Sequence, residues 1–165
     1  MDRTANLLGA VALAVSDRIM ETARHILNHA GETPAALVVI GYGFGPSNEQ
    51  LRHTLGLSHP GSVRLVDRLV TDGLVERRNG RDKRAIALHL TTEGAALRET
   101  LLRGRLAAIK QFLNPLTEGE LGLLSGLLHK ILSSMETSDL ERCTLCRLCD
   151  SRVCSNCPIP ADFRD

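Results

Sequence analysis

The residues best suited to chemistry lie together near the C-terminal end of this 165-residue chain. Every cysteine of the chain falls there, namely Cys143, Cys146, Cys149, Cys154 and Cys157. Two C-x-x-C pairs, Cys146/Cys149 and Cys154/Cys157, can supply the four thiolates of a tetrahedral structural zinc site. Cys143 is then left over as an alternative ligand. The spacing therefore predicts a metal centre, with zinc preferred.

Two other interpretations of these cysteines stay open. An iron–sulfur cluster is the alternative cofactor, because C-x-x-C-x-x-C followed by Cys154, and the ending Cys157-Pro158, approach ferredoxin spacing, although the gap before Cys154 departs from it. Metal-free thiols that sense oxidants by forming disulfides are the third interpretation. Three nearby arginines are placed to offset thiolate charge and are expected to lower the thiol pKa values, namely Arg142, Arg147 and Arg152.

A second group of candidates lies between residues 47 and 84, where eight Lys/Arg stand against five Asp/Glu on a chain whose formal net charge is +1. Ser58 can cap a helix here and Gly73 can end it. The dipeptide Asn79-Gly80 favours a tight hairpin turn between two strands. A polar helix followed by a basic hairpin suits duplex DNA, with the helix in the major groove and the hairpin tip in the minor groove. A solvated helix with an ordinary charged turn is the alternative.

The predicted DNA contacts fall on these two elements. On the helix the candidates are Ser58, His59, Gly61, Ser62, Arg64 and Arg68. On the hairpin tip they are Arg81, Asp82, Lys83 and Arg84. Asp82 is expected to orient Arg84 by a charge-assisted hydrogen bond, since phosphate repels a carboxylate. An apolar stripe packs the same helix on a core and comprises Val63, Val66, Leu69 and Val70.

This region resembles the winged helix-turn-helix of the MarR family of bacterial transcriptional regulators. The resemblance is carried by residues 64–97, RLVDRLVTDGLVERRNGRDKRAIALHLTTEGAAL. The family's wing has D-x-R, an apolar strand and L-T-x-x-G, matched by Asp82-Lys83-Arg84, Ile86 to Leu90, and Leu90 to Gly94. The resemblance extends over roughly residues 5–135 and ends before the cysteine-rich tail. It implies a first helix packed in a dimer interface and a small-molecule effector, for which the sequence identifies no residues.

Helices are predicted to position both groups. They cover residues 4–30, residues 33–42, a helix opened by a capping box at residues 47–50, a helix from Thr91 to about Leu113, and a last helix opened by a capping box at residues 117–120. The first and last helices carry apolar residues, namely Leu7, Leu8, Val11, Val15, Ile19, Ile26, Leu121, Leu124, Leu128, Ile131, Leu132 and Met135. They predict a dimerisation bundle, or alternatively a first helix buried within one subunit.

The composition fits a helical chain. Hydrophobic residues make up 43% and aromatics 2%, without tryptophan, so Leu, Val, Ala and Ile must fill the core. The predicted fold is mainly α with a small β-wing, a winged helix-turn-helix domain flanked by a helical dimerisation bundle. The predicted units are an N-terminal dimerisation helix (1–32), a winged DNA-binding domain (33–90), C-terminal dimerisation helices (91–136) and a cysteine-rich metal-binding tail (137–165).

The predicted function is sequence-specific transcriptional regulation, with repression as the preferred direction, and not enzymatic activity. A homodimer would bind a pseudo-palindromic DNA operator with two recognition helices about one turn apart. Regulation would come through the cysteine site, whether structural zinc or redox-sensing. An iron–sulfur redox-sensing regulator and a metal-containing protein-interaction adaptor are the alternatives. A thiol oxidoreductase is disfavoured, since no β-α-β unit surrounds the C-x-x-C pairs.

The apolar start of the chain is interpreted as a helix. Residues 5–15 resemble the apolar part of a signal peptide, but they lack a small-residue cleavage site and continue without a break into residues 16–18. No stretch reaches the length needed to span a bilayer. The expected location is cytoplasmic, without a membrane partner, where cysteines more often bind metal or undergo redox chemistry than form structural disulfides.

Overall fold

The computed structural model describes residues 1–27, 31–80, 86–135, 138–154 and 156–159. Within these ranges the helices are α1 (Asp2–Leu27), α2 (Thr33–Ile40), α3 (Asn48–Leu55), α4 (His59–Thr71), α5 (Thr92–Leu113), α6 (Glu118–Ser133) and α7 (Asp139–Cys146). Two antiparallel strands, β1 (Val75–Asn79) and β2 (Ile86–Leu90), lie between α4 and α5. This mainly helical architecture with a small wing confirms the predicted fold class.

The helix-turn-helix is formed by α3 and α4, and a serine caps the start of each helix. The Ser47 hydroxyl accepts from the Gln50 N–H, while the Gln50 side chain accepts from the Ser47 N–H, which completes the predicted capping box. Gly56, with φ of 64°, ends α3 in the left-handed region. Ser58 then accepts from the Gly61 N–H and opens α4. Local caps therefore determine where the two helices meet.

The core of the chain surrounds α2, whose eight residues are all buried. Leu37 and Ile40 of α2 pack with Leu51 of α3, Leu69 of α4 and Leu88 of β2. A helix that is apolar on every side needs cover on every side. The helix-turn-helix, the wing and α5 provide that cover, so α2 joins the elements that present the candidate DNA-binding surface.

The two strands of the wing lie close to where the sequence predicts them. Val75 pairs with Leu90 and Asn79 pairs with Ile86. Asn79 is therefore the last residue of β1, and the tight turn predicted at Asn79-Gly80 does not begin at Asn79. The register buries Val75 and Leu88, and a shift by one residue would move such side chains to the opposite face.

The L-T-x-x-G motif joins the wing to α5. The Thr91 hydroxyl accepts from the Gly94 N–H at 3.0 Å and donates to the Gly73 carbonyl at 2.7 Å. A Cβ added to Gly94 would lie 1.9 Å from the Leu74 carbonyl oxygen. Only glycine therefore allows α5 to begin this close to the end of the helix-turn-helix.

Two helices expose apolar faces that one chain does not cover. The C-terminal half of α1 packs along α5, where Gly104 leaves room for Ile26, but the N-terminal half is exposed. The hypothesis that α1 is buried within one subunit is therefore wrong. No residue of α6 is buried. The exposed apolar side chains of the two helices include Leu7, Leu8, Val11, Leu123, Leu127, Leu128 and Ile131.

None of the helices within the described ranges combines the length and the apolar character needed to cross a bilayer.

The cysteine-rich tail contains a helix, α7, that the sequence analysis missed. Ser138 accepts from the Glu141 N–H, and the Glu141 carboxylate accepts from the Ser138 N–H and hydroxyl. This is the same capping-box pattern that opens α3 and α6. The S-x-x-E pattern was present in the sequence, so α7 could have been predicted from it.

Candidate DNA-binding face and cysteine tail

The candidate DNA-binding face is the exposed side of α4. His59, Arg64 and Arg68 all lie on it and are exposed. Among the described residues, neither Arg64 nor Arg68 forms an ion pair with a carboxylate. Two guanidinium groups on this face are therefore available for phosphate oxygens or base edges.

Other arginines of this region are neutralised by carboxylates. Arg52 pairs with Glu49 at 2.6 Å on α3. The hydrogen bond from Arg52 is the main reason that the pKa of Glu49 falls to about 2. Arg77 of β1 donates to Asp67 of α4 at 2.5 Å, and the neighbouring arginine, Arg78, pairs with Glu76. The positive charge of the described part of this region is thus concentrated on α4.

Ser62 corrects one predicted DNA contact. Its side chain is 0% exposed, its hydroxyl donates to the His59 carbonyl at 3.0 Å, and it accepts from the Asn48 side chain at 3.2 Å. Ser62 therefore joins α4 to α3 and does not face the groove. The buried stripe of α4 is displaced by one position from the prediction and comprises Ser62, Leu65, Val66 and Leu69. A hydroxyl that bonds back to its own helix was mistaken for a polar surface residue.

The other helix candidates lie at the exposed start of α4. Ser58 and His59 are exposed, and Gly61 is half-buried. Their contact with DNA stays a prediction. The wing-tip candidates, Arg81, Asp82, Lys83 and Arg84, lie outside the described residues.

A small cleft separates α4 from the wing. Its volume is about 130 Å³, and it is lined by Asn48, Val63, Val66, Arg77, Ile86 and Leu88. Small-molecule sites usually occupy roughly 300–1,000 Å³. This cleft is too small for a typical effector and opens beside the candidate DNA-binding face.

The cysteine tail folds back onto the winged part of the chain. The Tyr42 hydroxyl lies between two tail carbonyls, 2.8 Å from the Cys146 oxygen and 3.0 Å from the Cys149 oxygen. The Thr144 hydroxyl donates to the Thr54 carbonyl of α3 at 3.1 Å. These contacts attach the tail to the residues that follow α2 and to the first helix of the helix-turn-helix.

The tail also contacts α5. Arg152 Nη2 lies 2.9 Å from Glu99 Oε2 and 2.8 Å from Asp150 Oδ2. Arg98 lies over the Tyr42 ring, with its guanidinium carbon 5.7 Å from the ring centroid. Tail, α3 and α5 thus meet around Tyr42.

The five cysteines occupy one neighbourhood in this structure. Burial raises the pKa of Cys146 to about 11, and the charges of the other four thiols add to the effect, with Cys149 the largest of them. No disulfide joins them in the described part of the tail. No three described Cys, His, Asp or Glu side chains are arranged to hold a metal ion. The thiols are near one another without forming a preassembled metal site.

For Cys146 and Cys149, the expectation that nearby arginines lower the thiol pKa is wrong. Burial raises the pKa of Cys149 as well as that of Cys146, and desolvation disfavours a thiolate more than nearby arginines favour it. The arginine that acts against burial at Cys149 is Arg105 of α5. Of the tail's own arginines, Arg152 is engaged by two carboxylates and Arg147 donates to the Thr144 carbonyl.

Sequence reasoning missed Tyr42, Arg98 and Arg105. Tyr42 is the only tyrosine of the chain, but nothing local indicated that it would meet a segment 104 residues away. The seven-residue spacing of Arg98 and Arg105 predicts that they share one face of α5. That spacing was a usable signal, although it could not show which element the face would meet.

The winged part of the chain is similar to a known protein family. Residues 32–85 match a family model described as MarR family. The HTH-type transcriptional repressor MdtR of Bacillus subtilis is 37% identical over 84 residues, which cover 50% of this chain and 54% of that protein. The match thus spans about half the length of this curated relative.

Solved structures are similar over a longer part of the chain. Wild-type MarR (apo form) from E. coli matches with a TM-score of 0.62 and 27% identity, covering 76% of this chain and 96% of that one. A mutant of Staphylococcus aureus MepR bound to an oligodeoxyribonucleotide matches with a TM-score of 0.60 and 20% identity, covering 79% and 96%. The second likeness is one of fold.

Proposed function

Because the chain belongs to the MarR family, we propose that it is a sequence-specific DNA-binding transcriptional regulator. The observation that carries the proposal is the exposed face of α4, where Arg64 and Arg68 form no ion pair with any carboxylate in the described part of the chain. A helix of 13 residues with exposed basic side chains fits the major groove. The wing-tip residues 81–84 would contact the adjacent minor groove, where arginine is favoured.

The proposed active form is a homodimer. A single chain leaves the apolar faces of α1 and α6 exposed. In the homodimer these faces would pack against the α1 and α6 faces of a second copy. Twofold symmetry would then place two α4 helices on a pseudo-palindromic operator, with half-sites about 34 Å apart. The bundle therefore determines the spacing, while α4 and the wing select the sequence.

We propose repression as the direction of regulation. The support is the curated relative, which is named a transcriptional repressor. The expected location is the cytoplasm, because the proposed partner is DNA. No effector residues are proposed, since the cleft beside α4 is small.

The cysteine tail is proposed as the regulatory input. Cys146, Cys149, Cys154 and Cys157 would hold one zinc ion, with Cys143 as the alternative ligand, or an iron–sulfur cluster. Support comes from the shared neighbourhood of the thiols and from the contacts of the tail with α3 and α5. Because the thiols are not preassembled, metal binding would have to draw them together, which makes the tail a two-state element.

Operator binding can be tested with duplex DNA from upstream of the chain's own gene. Arg64→Ala, Arg68→Ala and Arg84→Ala should each weaken binding by about 1–3 kcal/mol while the dimer persists. Fluorescence anisotropy at two salt concentrations separates base contacts, which lose sequence discrimination, from phosphate contacts, which weaken all sequences and flatten the salt slope. Arg18→Ala on α1, an exposed arginine away from α4, serves as the control.

The assignment of the α4 face would be contradicted if the wild-type protein did not bind this DNA. It would also be contradicted if the arginine variants bound it with wild-type affinity. In that case the protein-interaction adaptor becomes the better interpretation. A pull-down with dimeric wild-type protein and the same arginine variants would then show whether the α4 face binds a protein instead.

Metal content tests the tail separately from DNA binding. Zinc-loaded protein should be colourless with about one zinc per chain, and serine at any of the four proposed ligands should release it because three ligands rarely close a structural site. A cluster would give brown anaerobic protein that oxygen bleaches. Serine at Cys143 should be tolerated with zinc and harmful with a cluster. Protein that takes up neither group, and whose DNA affinity does not respond to thiol oxidation, would contradict both versions.

A further inference from the structure

The cysteine-rich tail is attached at Tyr42 through its main chain. The Tyr42 hydroxyl lies 2.8 Å from the Cys146 carbonyl oxygen and 3.0 Å from the Cys149 carbonyl oxygen, and it shares its one proton between them. The Cys149 N–H donates to the Cys146 carbonyl at 2.8 Å, so the two carbonyls flank a single turn. Tyr42 thus holds this turn by its carbonyls, and the contact requires neither a metal ion nor an ionised thiol.

The second attachment supplies a donor to the C-terminal end of α3. The last four carbonyls of a helix lack partners within it. The Arg52 carbonyl accepts from the Leu57 N–H at 3.0 Å. The Thr144 hydroxyl of α7 divides its proton between the Thr54 carbonyl of α3, at 3.1 Å, and the Leu140 carbonyl of its own helix, at 3.0 Å. The tail therefore helps to satisfy the helix end that leads into α4.

A third attachment reaches α5, where Arg152 Nη2 lies 2.9 Å from Glu99 Oε2. Both side chains are exposed enough for solvent to weaken this pair. The contact of the Tyr42 hydroxyl with the tail is partly buried, and Arg98 of α5 lies over the Tyr42 ring. The main attachment is therefore at Tyr42, where the end of α2, α5 and the tail meet.

We propose that α7 and the segment after it, residues 139–152, form a strap that docks on Tyr42 and holds the end of α3 toward α5 without a metal ion. Helix α7 packs along α3, and α4 begins shortly after α3 ends, at His59. Docking of the strap would restrain α3 and, through it, the orientation of α4, whereas release would free both. The effect on DNA rests on the proposed function of α4.

The thiols can report whether the strap is docked. Cys149 is half-buried, whereas Cys154 and Cys157 are exposed. Trypsin cleaves after arginine, so it leaves Cys149 alone in residues 148–152 and the two exposed cysteines together in residues 153–164. Brief alkylation of reduced, chelator-treated full-length protein with iodoacetamide, followed by mass spectrometry of these peptides, measures each rate. In the wild type, Cys149 should react more slowly than the exposed pair.

Tyr42→Phe removes the docking hydroxyl and keeps the ring over which Arg98 lies. The alkylation rate of Cys149 should then rise by about 2–10-fold, the factor that corresponds to one typical hydrogen bond. The rate for residues 153–164 should not change, because their cysteines are already exposed.

Thr144→Val should also speed alkylation of Cys149, because it removes the hydroxyl that contacts α3. Thr100→Val is the matched control. The Thr100 hydroxyl bonds to the carbonyl four residues earlier in its own helix, as the Thr144 hydroxyl does, and Thr100 is exposed on α5. This variant should react as wild type does.

Operator DNA tests the connection to α4. If docking of the strap strengthens DNA binding, DNA binding must strengthen docking by the same factor. Saturating operator DNA should therefore slow alkylation of Cys149 in wild-type protein by about 5-fold or more, without slowing the exposed pair in residues 153–164. A duplex of unrelated sequence at the same concentration should have a smaller effect.

The strap would be overturned if wild-type Cys149 reacted as fast as the exposed pair, or if Tyr42→Phe left its rate unchanged. The first comparison uses wild-type protein and decides the question even if a variant unfolds. An unchanged Cys149 rate in the operator complex would overturn the connection between the strap and α4. Wild-type protein that does not bind the operator would overturn the proposed function, while the rates measured without DNA would still decide whether the strap docks.

Discussion

The winged part of the molecule and its terminal helices differ in how they are covered. Leu51 of α3 and Leu69 of α4 are fully buried within one chain. Leu127 of α6 is 60% exposed and Ile131 is 47% exposed, although both are as apolar as the core residues. One chain thus completes the core of the part that would meet DNA, but supplies only half of the core that would pair two copies. The first kind of stability belongs to each chain, and the second depends on protein concentration.

The largest expected effect comes from placing charge on the exposed face of α6. Leu127→Asp combined with Ile131→Asp should give monomers with a folded winged domain. Each such side chain contributes about 2 kcal/mol when buried, and twofold symmetry doubles the loss, so the dimer dissociation constant should rise by at least about 100-fold. Sedimentation velocity measures the assembly, and operator affinity should fall with it.

His129→Asp is the matched control, because His129 is an exposed polar residue of the same helix and is not one of the predicted interface residues. A stable dimer in the double variant would show that the two copies meet elsewhere.

The second-largest expected effect comes from a substitution in the winged part of the molecule, whose core is buried within one chain. Gly94→Ala places a methyl group against the Leu74 carbonyl oxygen, at a Cβ distance of 1.9 Å. The start of α5 must then move, at a cost of about 3 kcal/mol, the upper part of the range for overpacking. Urea unfolding of the dimer at fixed concentration measures the loss. Gly119→Ala in α6, where no atom lies within 4 Å of the added Cβ, should be neutral or stabilising. Equal stabilities for the two variants would contradict the close approach.

A smaller loss should follow from Thr91→Ala. This change removes the cap of α5 and the hydrogen bond to the Gly73 carbonyl, and loss of a threonine cap costs about 1 kcal/mol. Thermal unfolding measures it. Thr92→Ala alters the neighbouring exposed threonine and should cost less. If both variants lost the same stability, the cap would not explain the effect.

The smallest expected effect is on the pH dependence of the stability of α6, one of the two exposed helices. Hydrogen bonds from the Thr117 backbone N–H and hydroxyl lower the pKa of Glu120 below its ordinary value of 4.5. The carboxylate therefore stabilises α6 above pH 4.5, and that contribution is lost as the pH falls through the lowered pKa. Glu120→Gln, which keeps an acceptor but cannot titrate, should flatten the dependence of helicity on pH in this window. An unchanged pH profile would mean that the capping box has no measurable effect.

Local signals were predicted well from the sequence. The capping boxes at Ser47 and Thr117 and the cap at Ser58 all appear where expected. Each depends on residues at most three or four positions apart. The chain must satisfy these short-range preferences in almost any fold, so their positions follow directly from residue type.

Signals that depend on distant partners were predicted poorly. The tight turn at Asn79-Gly80 was predicted one residue too early, because Asn79 pairs with Ile86 as the last residue of β1. Ser62 was placed on the surface because its partner on α3, Asn48, is fourteen residues earlier. The arginine whose charge acts on the Cys149 thiol, Arg105, comes from α5, far from the cysteines in sequence. Such contacts depend on how whole elements pack, which a local pattern does not encode.

Helix α5 is long and attached to other elements at different points, so a small rotation at one end displaces the other end. The helix has 22 residues and is therefore about 33 Å long. Thr91 attaches the start of α5 to Gly73, just after the end of α4. Later turns of α5 lie against α1. A tilt of about 5° at the α1 end would displace the other end by about 3 Å for a rod of this length. That is close to the 3.4 Å step between base pairs. Rotations too small to disturb the packing of α1 would therefore be enough to move a recognition helix out of register with its half-site.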